Sequence, residues 1–125
     1  MESERQKLLI QRHGRILARL ENPPAIGGSQ DEIVCGDGWF DLIDVLCARM
    51  QFHTDVDGAP QVVALQVKEK FGTLRFYADG ADEIHTGMID VAQAMSERTC
   101  GSCGGHVPCP TCSRAMPTLR TAGTR

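Results

Sequence analysis

The chain is poor in the residues that fill a large core. Of its 125 residues one is Trp, one is Tyr and four are Phe, so the core is modest and some extra fastening is expected. No apolar run approaches the ~20 residues that a membrane-crossing helix needs. The opening MESERQKLLIQRHGR has neither an uninterrupted apolar stretch nor a small-residue cleavage site, which argues against export and for the cytoplasm. Walker loops, Ser-His-Asp orderings and paired-carboxylate motifs are missing, so nothing points to an enzyme. A continuous basic footprint is missing too. With a formal net charge of −3, nucleic acid is a poor candidate partner, because gripping a duplex draws on many neutralised phosphates.

What the chain does have is unevenly placed charge and clustered cysteine. Residues 1 to 22 carry +2, 31 to 60 carry −6, 61 to 80 carry +1, 81 to 99 carry −3 and 100 to 125 carry +3. A small anion held by two or three basic side chains suits that balance better than a long polyanion. The reading is one α+β domain over residues 1–99, with an N-terminal helix over 1–22 and a helix-hairpin-helix core over 31–99. A small C-terminal zinc-binding lobe follows over 100–112, then a flexible basic tail over 113–125.

The stretch Gln61 to Asp79, QVVALQVKEKFGTLRFYAD, reads as a β-hairpin. Val63, Leu65 and Val67 alternate with polar residues, and Leu74 and Phe76 alternate with Arg75 and Tyr77, the period of two of a half-buried strand. A one-residue slip would carry a whole apolar set into water. The pattern therefore pairs Val67 with Phe76, Lys68 with Arg75 and Gln66 with Tyr77, leaving Phe71-Gly72 at the tip. Like charges opposed on a sheet are destabilising. Three accounts of Lys68 and Arg75 stay open: Glu69, Asp79 or an acidic helix neutralises them, the two side chains splay into solvent, or an anionic ligand sits on them.

The fold class expected is α+β, a β-hairpin or small antiparallel sheet covered by helices on one face. Ser3 to Glu21 is amphipathic, with Leu9, Ile16 and Leu20 at helical spacing, Gly14 inside it and His13 on its surface. Asn22-Pro23-Pro24 ends it. Glu32 to Cys35 is extended, and Asp37 or Gly38 caps a second helix whose stripe is Trp39, Leu42, Ile43, Leu46 and Met50, reaching about residue 51. Phosphate binding by the glycine amides of Cys35-Gly36-Asp37-Gly38 is disfavoured, since Asp37, Asp41 and Asp44 already occupy the positive end of the helix dipole. Cys35 and Cys47 read as small buried residues, and Asp55-Val56-Asp57-Gly58 as a turn. Asp82 or Glu83 opens a third helix. Its stripe of Ile84, Met88, Val91, Ala92 and Met95 is expected to pack on the hairpin, with His85 exposed.

Cys100-Gly101-Ser102-Cys103 and Cys109-Pro110-Thr111-Cys112 are two Cys-x-x-Cys hooks. Four thiolates in that arrangement can close on Zn²⁺, and a closed four-ligand site is structural because it keeps no position for water. His106 can replace one sulfur. A redox pair and disulfides are the other readings.

The runs Gly38 to Leu46, Val67 to Tyr77 (VKEKFGTLRFY) and Ser96 to Gly104 (SERTCGSCG) together resemble a family of small phage and prophage proteins of undescribed activity. The likeness spans roughly residues 35 to 104. It implies a phage-encoded protein of the bacterial host cytoplasm and brings no activity with it. On the residues, the first function to weigh is a binding protein in which Lys68, Lys70 and Arg75 meet the phosphates of a nucleotide-like anion, with Tyr77 or Trp39 stacking on a base. In a phage setting such a protein could sequester a host defence signal. The alternative is an adaptor whose zinc lobe and basic tail contact nucleic acid or a host protein. An unrecognised enzyme comes last, and assembly into a homo-oligomer stays open.

Overall fold

The computed structural model describes residues 1–21 and 33–107, apart from the side chain of Glu21. The N-terminal helix is two: α1 (Ser3–Arg12) and α2 (Gly14–Glu21). His13, at φ −125° and ψ 45°, leaves helical geometry. The ladder still crosses the bend, since His13 N–H donates to Leu9 O at 2.9 Å and its carbonyl accepts from Ile16 and Leu17. The expected straight helix is thus kinked, which lets Leu9 and the Ile16, Leu17, Leu20 group all enter one core. His13, expected on the surface, is drawn under α1 to Asp44 at 2.6 Å.

A strand β1 (Ile33–Val34) and a 3₁₀ turn (Asp37–Trp39) lead into α3 (Phe40–Asp57). This helix runs past the expected end at residue 51, because the stop signal is Gly58 in the left-handed region at φ 73°. The Asp55 to Gly58 segment is therefore a last helical turn and its cap. Neither Asp37 nor Gly38 caps α3. Asp37 instead accepts from Glu2 N–H at 2.7 Å, placing its carboxylate at the start of α1, where the dipole favours it. Cys47 is fully buried, whereas Cys35 is only half-buried.

β2 (Val63–Lys70) and β3 (Thr73–Asp79) form the hairpin, and β1 pairs parallel to β2, giving a mixed sheet of order β1-β2-β3. The architecture is α+β, and the parallel pairing of β1 makes a mixed sheet of three strands in place of the expected hairpin or small antiparallel sheet. At the tip the register is the one the apolar pattern requires: Gln66 opposite Tyr77, Val67 opposite Phe76 and Lys68 opposite Arg75. Further back a bulge between Ala64 and Gln66 shifts the pairing. One extra residue reverses which side chains point inward. Val62 and Ala64 are fully buried, while Val63 is only partly covered and Leu65 is 39% exposed, so the expected core places of Val63 and Leu65 are corrected.

The last helix, α4 (Glu83–Ser96), runs along the open edge of β3. Phe76 N–H donates to Gln93 Oε1 at 3.0 Å and Leu74 N–H to Ser96 Oγ at 2.8 Å. Those side chains satisfy edge amides that would otherwise be templates for another strand. Serving the edge fixes the helix's rotation. Its buried residues are His85, Ala92 and Ser96, whereas Ile84, Val91 and Met95, expected to pack on the hairpin, face outward. His85, expected to be exposed, is fully buried. No helix among the described residues is long and apolar enough to cross a membrane.

Candidate functional site

The side chains of Val67, Leu74 and Phe76 point into the core, so strand alternation sends Gln66, Lys68 and Lys70 of β2 and Thr73, Arg75 and Tyr77 of β3 to the opposite face. Val34 of β1, paired with Lys68 and 52% exposed, extends the same surface. Three cations thus share one face. Lys68 and Arg75 face each other across the strands, and Lys68 Nζ lies 5.9 Å from the centre of the half-exposed Tyr77 ring. Lys70 Nζ lies 5.9 Å from the Phe71 ring at the tip.

Among the described residues no carboxylate forms an ion pair with Lys68, Lys70 or Arg75. Glu69 is turned to the tip, where it accepts from Gly72 N–H at 2.7 Å. The Nε of Arg75 is buried without a hydrogen-bond partner among the described residues. Leaving a charged donor so placed costs free energy that a neutralising acceptor would recover. Lys68, Lys70, Arg75 and Tyr77 are therefore brought together. Trp39 is not. Its ring is 2% exposed and its Nε1 donates to Thr99 O at 2.8 Å, so it cannot stack on a base.

Trp39 belongs to a different construction, the seat of the first cysteine hook. Cys100 N–H donates to Gly105 O at 2.6 Å, Gly104 N–H to Cys100 O at 2.8 Å, and Val107 N–H to Arg98 O at 3.1 Å. With Thr99 bridged to the exposed His106, these bonds fold the hook into a tight knuckle. Gly104, at φ 84°, makes its turn. Gly105 N–H points at Cys103 Sγ at 3.4 Å. Cys109 and Cys112 lie outside the described residues. The knuckle is seated on the Gly36 to Trp39 turn: Gly38 N–H donates to Gly101 O at 2.8 Å, and a Cβ on Gly36 or Gly38 would collide with Gly101 O or Cys100 O. The two glycines serve this backbone approach, and the Gly38 amide is spent on it.

Sequence reasoning missed a third cluster. His53, Asp82 and His85 offer ligand atoms within 4.8 Å of one another, a group that could hold a metal ion. The hydrogen bonds decide how it is used. His53 Nδ1 lies 2.8 Å from Asp57 Oδ2 and its Nε2 lies 2.9 Å from Asp82 Oδ2. Ionised carboxylates only accept, so each contact is a hydrogen bond when the facing ring nitrogen carries a proton. Hydrogen bonds to Asp57 and then Asp82 raise the pKa of His53. Asp82 is held below its ordinary value, first by the backbone N–H of His85 and also by His53. His85 Nδ1 accepts from Asp82 N–H at 3.2 Å, while its Nε2 lies 3.1 Å from Met50 O, a carbonyl that only accepts. Every ring nitrogen is already hydrogen-bonded, so a metal ion would have to displace these bonds to use the imidazoles. The cluster clamps α3 to the capping box of α4. Its signals were Asp57 four residues after His53 and His85 three after Asp82.

Elsewhere burial opposes ionisation of Asp44, but hydrogen bonds from His13 and Arg12 hold its carboxyl below the ordinary value. Burial pushes the Cys35 thiol up to about 11, so it is no nucleophile near neutral pH. No family model matches this chain, and neither does any curated protein or solved structure.

Proposed function

We propose that the outer face of the sheet binds a small phosphate-bearing anion, with a nucleotide-like compound as the ligand class. Lys68 and Arg75 take the phosphates, Lys70 adds charge at the tip, and Tyr77 supplies an exposed ring for stacking. The observation that carries this reading is Arg75: its Nε is buried and unpartnered among the described residues, in a register that also sets Lys68 against it. A solvated surface pair would leave such a group in water. The knuckle at Cys100 and Cys103, completed by Cys109 and Cys112, is proposed as a structural zinc site that steadies the end of α4. Elemental analysis of reductively purified protein finds one zinc per chain on this reading, and its absence removes it. The resemblance implies only a phage-encoded protein and no activity; joining it to the anion site read from the residues, we propose that in a phage setting such binding would sequester a nucleotide signal of host defence.

The test is thermal stability of the wild type and of Lys68→Ala and Arg75→Ala, with and without phosphate, ADP-ribose and a set of cyclic dinucleotides. Each substitution is expected to weaken anion binding by about 1.5–3 kcal/mol, the worth of a charged hydrogen bond, and to leave unliganded stability unchanged or slightly higher. A wild type that shifts with none of these anions, beside variants that melt lower, refutes the site.

A further inference from the structure

α4 turns an apolar row away from its own core. Ile84 is 55% exposed, Val91 64% and Met95 47%; with Met88, which is partly buried and also packs against the core, they follow one another at steps of four, three and four. That is the seam period of helices that pair side by side. Next to this row stand the exposed Gly87 and Ala94, and beyond them Glu83, Asp90 and Glu97, seven residues apart and all exposed. None of these three carboxylates has an ion-pair partner among the described residues. Gly87 is unexplained from within: a helix-interior Gly costs about 1 kcal/mol relative to Ala, and a Cβ added there would meet nothing within 4 Å.

We propose that this face of α4 is a docking strip for a basic amphipathic helix of a partner protein. The partner's apolar residues interleave with Ile84, Met88, Val91 and Met95. Its Lys or Arg stems lie across Gly87 and Ala94, where a larger residue would block them, and their charged ends reach Glu83, Asp90 and Glu97. Charge complementarity selects this occupant over a second copy. Against Glu83, Asp90 and Glu97 the helix and its C-terminal cap turn offer a single cation, the exposed Arg98, so pairing α4 with its own copy would set two rows of excess negative charge together, three acids to one base on each. The inference rests on α4 alone and is independent of anion binding on the sheet.

The experiment titrates the full chain into a fluorescein-labelled synthetic helix with Leu on the seam and Lys on the flanks, read by anisotropy at low and high salt. The wild type binds, more weakly in high salt. Val91→Asp, at a position exposed enough to leave the fold intact, lowers affinity by about tenfold or more, roughly 1.4 kcal/mol. That substitution discriminates, because simple attraction to an acidic protein would be strengthened by one more carboxylate. Asp90→Lys weakens the Lys-flanked helix and lets a Glu-flanked one bind. The proposal is overturned by a wild type that does not bind, by Val91→Asp binding undiminished, or by light scattering that finds a dimer which Val91→Asp dissociates.

Discussion

Replacing Gly38 with Ala adds one methyl group where two segments of backbone meet. The new Cβ would collide with Cys100 O and lie 2.6 Å from Gly104 N and 2.7 Å from Gly101 C. All three atoms are main chain, so no rotamer change relieves the contact and the knuckle has to lift off the turn. Lifting it breaks the 2.8 Å bond from Gly38 N–H to Gly101 O and draws Trp39 Nε1 away from Thr99 O. Forcing a methyl group into a packed contact costs about 1–3 kcal/mol and a lost hydrogen bond about 1, so the expected destabilisation is about 2–4 kcal/mol. Trp39 is the only Trp and sits under the contact, so urea denaturation followed by its fluorescence reads both stability and seating. A red-shifted native emission is expected alongside the lower midpoint. Gly14→Ala is the control, because nothing lies within 4 Å of its Cβ and the gain in helix propensity is worth up to about 1 kcal/mol. If Gly38→Ala unfolds at the wild-type midpoint with unchanged emission, the interlock does not hold the knuckle.

The bulge makes Phe76 and Leu65 unequal. Phe76→Ala, at 3% exposure, is expected to cost about 3–5 kcal/mol, whereas Leu65→Ala at 39% exposure costs below about 1; equal losses in denaturant midpoints mean the sheet is in the unbulged register. The His53 bridge predicts a pH profile. Its folded pKa is raised above 6.5, so its contribution is whole below that pH and is lost as pH climbs through the folded value. Asp82 is depressed below 3.8, so its share is whole above that pH and fades as pH falls through its folded value. Calorimetric melting temperatures should therefore sag on the alkaline side in the wild type and not in His53→Gln; matching alkaline limbs in both would place the titration elsewhere.

Local pattern was enough for the hairpin tip and for the cations it carries. Val67, Leu74 and Phe76 admit only one pairing that keeps them together, and Lys68, Lys70, Arg75 and Tyr77 go to the other face as a consequence. The helix starts and stops with chemical signatures were legible in part: Asp82 was readable as a cap, because an N-cap is a contact between near neighbours. The bulge was not, since in Val62-Val63-Ala64-Leu65 either alternate pair is apolar and only packing against the helices selects Val62 and Ala64. The rotation of α4 was decided by the edge amides of Leu74 and Phe76, distant groups whose hydrogen bonds to Ser96 and Gln93 outweigh an apolar stripe. For the same reason His85 reads as exposed in the sequence, and Trp39, rightly set on an apolar stripe, reads also as a stacking ring. A side chain's partner across the fold leaves no mark in its own neighbourhood of sequence, and it was such partners, Thr99 O for Trp39 and Met50 O for His85, that set where each of these rings lies.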